Sequence, residues 1–266
     1  MYQSVAMTID PEAVGATLYE GYRDTAPIES AQLPDLTLEE GYRAQREFVD
    51  RRTSEEGSVV GYKIGFTNET VQAELGVSEP CYGHLLGATV RSDRQFRMDE
   101  LIAPRIEPEI AFVLEEPLDE SASRFDVLAA TDYVVPAIEV VDSRIAGWKL
   151  TAATAIADNA LAARLLPGDR ISPTETALHL EGVEVLVDGE RRATGTGAAV
   201  LGHPADAVAW LASELPKNGD RLQAGDIVTT GSLTEPIPVT AGETVVARFA
   251  SLGSAVAQAA ESYSIR

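Results

Sequence analysis

The chain has 266 residues, with 42 acidic against 21 basic side chains and a formal net charge of −21. That charge repels nucleic acid and anionic lipid surfaces, and no apolar run nears the ~20 residues needed to span a bilayer. The length suits one large domain, or a main domain with a small appendage.

Residues 8–56 read as helical. Asp10-Pro11 is a cap followed by a proline at the first helical position, and Val14, Leu18 and Tyr22 recur at helical spacing. Thr37-Leu38-Glu39-Glu40 is a capping box that opens a second helix, with Tyr42, Phe48 and Val49 facing a core. Between them, residues 26–35 carry two prolines and form a connection. From Val59 onward the pattern becomes strand-rich. Residues 183–187 and 190–194, joined by Asp188-Gly189, read as a two-residue hairpin. Residues 226–230 and 244–249 are further strands. Helices are expected over residues 150–166 and from His203-Pro204 through Leu215, the latter ending near Gly219. The expected fold is α+β: a helical N-terminal segment over 1–58 and a β-rich body over 59–266.

Three strand-like runs are interrupted by charge: 57–66 by Lys63, 106–114 by Glu107 and Glu109, and 133–141 by Glu139. An ionised group in an apolar strand is costly unless it is paired or bound to metal. Side chains alternate along a strand, so Arg105, Glu107, Glu109, Ala111 and Val113 share one face. Two glutamates two residues apart lie about 7 Å apart by Cα, and both can reach one cation between them. Pro108 places that end of the strand at an edge or bulge. In an acid-rich chain a Glu-x-Glu pair also suits a plain solvated face. Glu139 argues otherwise, as the only polar side chain among Val134, Val135, Ile138, Val140 and Val141. Oxygen-only ligands without histidine point to Mg²⁺ or Mn²⁺ rather than zinc.

Only three of the basic residues are lysines, Lys63, Lys149 and Lys217. This acid-rich, lysine-poor balance fits a halophilic-type surface, where salt screens self-repulsion. It also makes Lys63 within Gly-Tyr-Lys-Ile-Gly conspicuous: an amine can move protons where a guanidinium cannot, although a lysine snorkelling from a strand edge has the same sequence. Asp142-Ser143-Arg144 reads either as support for the site or as a strand-ending turn with a salt bridge. Gly231-Ser232 offers backbone N–H groups to a carboxylate or makes a tight turn. His203, in Gly-His-Pro before a helix, reads as a cap residue. The single cysteine, Cys81, excludes an intrachain disulfide and makes a reducing cytoplasm the expected setting. Residues 1–10 carry no leader-like basic and apolar pattern.

Taken in order, Gly61-Tyr62-Lys63-Ile64-Gly65, Leu75-Gly76-Val77, Pro104-Arg105-Ile106-Glu107-Pro108-Glu109-Ile110, Pro136-Ala137-Ile138-Glu139-Val140-Val141-Asp142-Ser143-Arg144, Ala157-Asp158-Asn159-Ala160, Leu201-Gly202-His203-Pro204 and Thr230-Gly231-Ser232-Leu233 resemble one group. It is the 2-keto-4-pentenoate hydratase and 4-oxalocrotonate decarboxylase group of the fumarylacetoacetate hydrolase superfamily.

The resemblance implies a mixed β-roll body. Mg²⁺ or Mn²⁺ would sit on Glu107, Glu109 and Glu139, with Lys63 as catalytic residue, Arg105, Gly231 and Ser232 at the substrate, and Asp142 behind the ligands. It also implies a small-molecule substrate, a short 2-hydroxy-dienoic or 2-oxo-enoic acid from aromatic-ring breakdown. A homo-oligomer or a hydratase–decarboxylase complex is the implied assembly. The expected activity is hydration of 2-hydroxypenta-2,4-dienoate. The alternatives are 4-oxalocrotonate decarboxylation and a non-catalytic, metal-braced helper subunit. Two departures stand out: hydratases carry an aspartate where this chain has Cys81, and usually a serine where it has Leu161.

Overall fold

The computed structural model describes residues 9–172 and 177–261; most of the stretch read above for a leader therefore lies outside the described residues. Helix α1 (Pro11–Arg23) starts at Asp10, whose carboxylate accepts from the Glu12 N–H. Helix α2 (Leu38–Glu56) starts at the Thr37–Glu40 capping box and stops at Gly57, with φ of 82°. The two pack through Val14, Leu18, Ala44 and Phe48.

The strands then form two sheets. The larger runs β2 (Cys81–Leu86), β1 (Val59–Gly65), β9 (Ile227–Thr229), β4 (Arg105–Leu114), β5 (Thr131–Val141) and β6 (Ala162–Pro167), with β10 (Ile237–Pro238) against the start of β4. It is mixed, since β1 and β9 are parallel and the other pairs antiparallel. The smaller sheet runs β3 (Gln95–Arg97), β12 (Ser254–Ala260), β11 (Thr244–Phe249), β7 (Gly182–Val187) and β8 (Glu190–Thr196). Its β7–β8 hairpin turns at Asp188-Gly189, both at positive φ, as the tight turn demands.

The main core includes Ile106, Ile110, Phe112, Val134, Ile138 and Val140 from the large sheet and Val183, Val185, Val245 and Ala257 from the small one. Short helices α3 (Glu69–Leu75) and α4 (Arg124–Ala129) lie in connections. Helix α6 (Pro204–Glu214) starts at His203, whose Nδ1 accepts from the Ala205 N–H, so this histidine is a cap. A further turn carries the chain to Gly219 in the left-handed region. The architecture is α+β. No helix among the described residues is long and apolar enough to cross a membrane.

One expectation is corrected. Residues 150–166 are not one helix: α5 (Ala152–Ala157) ends at Asp158, and β6 begins at Ala162. Between them Asn159, Ala160 and Leu161 take φ of 54°, 48° and 66°. Three consecutive side-chain-bearing residues in this region are costly, and the surroundings must hold them there. Arg144 donates from its backbone N–H (2.9 Å) and Nε to the Asp158 carboxylate, and from Nη2 to the Asp158 carbonyl (2.8 Å). Long-range contacts therefore override the helical preference of an alanine-rich run.

Candidate metal centre and active site

Strand alternation on β4 sends Ile106, Ile110 and Phe112 to the core and Glu107 and Glu109 to the opposite face. The antiparallel register sets Glu107 directly across from Glu139 and Glu109 across from Ala137. One carboxylate oxygen from each of Glu107, Glu109 and Glu139 lies within 4.8 Å of the others. Glu109 and Glu139 are fully buried, and Glu107 is half-buried. Pro108 occupies the gap between β9 and β10, where its missing N–H is not needed; its carbonyl accepts from the Leu233 N–H at 2.9 Å.

Lys63 reaches this cluster from β1, one strand beyond β9. Its Nζ lies 3.3 Å from Glu139 Oε2 and donates to the Ala160 carbonyl at 3.0 Å. Burial works to lower the lysine's pKa, but Glu139, Glu107 and Glu109 outweigh it and hold the ammonium above its ordinary value. Burial pushes Glu107 up to about 7, with Lys63 opposing, and drives Glu109 well above the usual carboxylate range.

The donor set fits a hard divalent cation. Glu109 Oε1 and both oxygens of Glu139 are buried and accept no protein hydrogen bond among the described residues. Buried carboxylate oxygens without donors are expensive, and an ion among them supplies the missing partner. All three candidate ligands offer oxygen, which suits Mg²⁺ or Mn²⁺ over zinc.

The other sequence-predicted residues take distinct places. The Gly231 N–H does meet a carboxylate, but that of Glu109, at 2.9 Å. A glycine is needed here: φ is 102°, and a Cβ would lie 2.2 Å from Thr67 Oγ1. Ser232 Oγ accepts from the Thr234 N–H at 3.3 Å. Both Asp142 oxygens are taken by the Ile102 and Ala103 N–H groups, at 2.9 and 2.8 Å, so Asp142 fixes the approach to β4 and touches no glutamate. Arg105 lies half-buried at the start of β4, its guanidinium carbon 4.1 Å from the Trp148 ring centroid.

Sequence reasoning missed the left-handed turn that carries Ala160. Asn159 Oδ1 accepts from the His84 N–H at 2.7 Å, and its Nδ2 donates to the His84 carbonyl at 2.9 Å. Gly83 permits this approach, since a Cβ there would lie 2.3 Å from the Asn159 carbonyl oxygen. Cys81 is buried beside Gly65, its thiol pushed up to about 12 by burial and so neutral. Two cavities, of about 640 and 710 Å³, lie elsewhere; neither is lined by Lys63 or the three glutamates.

Comparison with known proteins gives consistent matches. The family model for the fumarylacetoacetate (FAA) hydrolase C-terminal region matches residues 86–259. A 2-oxo-hept-4-ene-1,7-dioate hydratase of Escherichia coli is 38% identical over 244 residues, covering 88% of this chain and 91% of the relative. A 2-keto-4-pentenoate hydratase of Paraburkholderia xenovorans is 37% identical over 248 residues, covering 91% and 92%. Among solved structures, 4-oxalocrotonate decarboxylase from Pseudomonas putida G7, complexed with magnesium and adipate, aligns with a TM-score of 0.88 at 34% identity, covering 93% of this chain and 96% of that one. Hydratases and decarboxylases are both lyases. On these matches the chain belongs to the fumarylacetoacetate hydrolase family, in its 2-keto-4-pentenoate hydratase and 4-oxalocrotonate decarboxylase group.

Proposed function

We propose that the protein is a Mg²⁺- or Mn²⁺-dependent lyase that hydrates short 2-hydroxy-dienoic acids, of which 2-hydroxypenta-2,4-dienoate is the core unit. The observation that carries this reading is the convergence of Glu107, Glu109 and Glu139 beside the Lys63 ammonium, with Glu109 Oε1 and Glu139 Oε1 buried and without donors. These glutamates would hold the ion, which when bound supplies Lewis-acid polarisation of the substrate's carboxylate and 2-oxo oxygens.

The remaining work falls to the chain itself. An ammonium has three N–H bonds. Ala160 takes one, Glu139 lies beside a second, and the third is left for a substrate oxygen. Lys63 so placed donates to the oxygen on which charge develops. The Gly231 N–H orients Glu109, and Glu109, Glu139 and Lys63 are buried from water.

Decarboxylation of 4-oxalocrotonate is the second reading, favoured by one observation. At Cys81 and Leu161 the chain offers a neutral buried thiol and an alkyl group, neither of which can activate water. A non-catalytic metal-braced helper is the reading outside enzymes. A cytoplasmic setting, on the strength of the single cysteine Cys81, and assembly as a homo-oligomer or with a partner enzyme of the same group, on the strength of the resemblance, belong to the proposal.

The test is to follow the ultraviolet absorbance of 2-hydroxypenta-2,4-dienoate, then of 4-oxalocrotonate, with Mg²⁺ present. Diene loss with formation of a 4-hydroxy-2-oxo acid supports hydration, and CO₂ release supports decarboxylation. Tight metal binding without turnover of either favours the helper.

A further inference from the structure

We infer that His203 is a positioning residue for the candidate metal ligand Glu109, acting through Leu201, Thr67 and Gly231. This deepens the proposed function and rests on its metal centre. The contacts run outward from Glu109, whose Oε2 accepts from the Gly231 N–H at 2.9 Å. Gly231 is backed in turn by buried Thr67, so close that a Cβ on the glycine would come within 2.2 Å of Thr67 Oγ1 and 2.8 Å of its Cγ2. The Thr67 carbonyl accepts from the Leu201 N–H at 3.3 Å. The segment that carries Leu201 also presses on the far end of the same turn: at Gly195, on β8, a Cβ would lie 1.9 Å from the Leu233 carbonyl oxygen. Residues 195–201 therefore bracket the turn at 230–233 from both ends, and where they sit decides where the Gly231 N–H points.

Leu201 does not sit there at ease. It takes φ of 45° and Gly202 takes φ of 81°. A leucine in the left-handed region is strained, and it stays only where both flanks are fixed. On one side Val200 is 0% exposed, and its N–H donates to the Gly197 carbonyl at 3.1 Å. On the other stands His203, 7% exposed, whose Nδ1 accepts from the Ala205 N–H at 3.1 Å. Its ring stacks on that of His179, with 5.4 Å between centroids. Without that ring Leu201 relaxes, its N–H leaves the Thr67 carbonyl, and Thr67 is free to back away from Gly231. Serine, aspartate and asparagine cap helices as well. Histidine differs in that its acceptor can be lost, since a protonated Nδ1 cannot accept from an N–H. Burial and Arg124 on α4 hold the imidazole's pKa below its ordinary 6.5; His179 adds to them, and Asp206 on α6 opposes while its carboxylate is taken by Arg124. The hold is thus made at neutral pH and released in acid.

The test titrates Mn²⁺ alone into the full chain and counts the free ion by its electron paramagnetic resonance signal. At pH 7.5 His203→Ala should weaken Mn²⁺ binding roughly fivefold or more. His203→Asn, which keeps a side-chain acceptor for the helix start, should stay within about twofold of the unaltered protein. Asp10→Ala removes the cap of α1 and should lower the melting temperature without changing Mn²⁺ affinity. In a Gly231→Ala background, where the N–H is already displaced, His203→Ala should weaken binding no further. From pH 7.5 down to 5 the unaltered protein should lose affinity more steeply than His203→Asn; the glutamates titrate in both, so the difference in slope belongs to His203. That comparison decides even where His203→Ala does not fold. Equal slopes, an unchanged affinity in His203→Ala, or an equal loss in Asp10→Ala overturns the inference and leaves the metal centre standing. Failure of the unaltered protein to bind Mn²⁺ overturns the metal centre and the inference together.

Discussion

The Asn159 carboxamide spans both backbone polar groups of His84, accepting from its N–H at 2.7 Å and donating to its carbonyl at 2.9 Å. This bridge ties the left-handed turn to β2, and the next carbonyl along, that of Ala160, is the one that receives Lys63. Asn159→Ala leaves two part-buried backbone groups without their side-chain partner, an expected loss of about 1–3 kcal/mol in urea unfolding. It should also lower kcat by letting the ammonium drift. In a Lys63→Met background the same substitution should cost stability but no further kcat, a non-additivity that purely structural damage does not produce.

Lys63→Met should lower kcat by about 10²–10⁴-fold. Because the substitution removes a positive charge 3.3 Å from a candidate ligand, Mg²⁺ should bind at least as tightly as before. Calorimetry and steady-state kinetics on one preparation check both. Full activity in this variant would end the role assigned to the lysine.

In the metal-free protein the glutamate cluster sets a pH dependence of known sign. Burial raises the Glu107 carboxyl from 4.5 to about 7, so the folded state holds a proton that the unfolded chain has already released. Stability of the metal-free form should therefore fall as pH rises from about 4.5 through about 7. Saturating Mg²⁺ should flatten that slope and, at 100 times its dissociation constant, add about 2.7 kcal/mol. Glu139→Gln should abolish most of the Mg²⁺-dependent rise in melting temperature; an undiminished rise would place the ion elsewhere.

Gly231→Ala should weaken Mg²⁺ binding without touching a candidate ligand. The new methyl would meet Thr67 Oγ1 at 2.2 Å, and the backbone would be held at φ of 102°, a combined strain of about 1–3 kcal/mol or more. Relief moves the N–H that holds Glu109. The double variant Thr67→Ala/Gly231→Ala should recover only part of the affinity, since the clash is removed but the backbone strain remains.

Much of this arrangement was legible before any coordinates. The period-2 pattern of 105–114 already separated Glu107 and Glu109 from Ile106 and Ile110, and the Thr37–Glu40 and Asp188-Gly189 signals marked a helix start and a hairpin. Local chemistry decides such features, so local sequence reveals them. Residues 150–166 misled because alanines suit a helix, while the break at Asp158 is imposed by Arg144 and His84 from other parts of the chain. The stacking of Arg105 on Trp148 and the direction of the Gly231 N–H were equally hidden, since neither leaves a trace in spacing.

Strand β9 has a bearing on biosynthesis. This three-residue segment fills the slot between β1 and β4, parallel to one and antiparallel to the other, with the Ile227 carbonyl so near Gly61 that a methyl there would come within 1.9 Å. A ribosome-bound chain that has made Lys63 and all three glutamates can pair β4 with β5, yet still lacks the spacer that seats Lys63 beside them. Placement of the lysine must then wait until residues near 230 have left the exit tunnel, and premature termination before that point leaves a polypeptide with every charged group and its ammonium out of place.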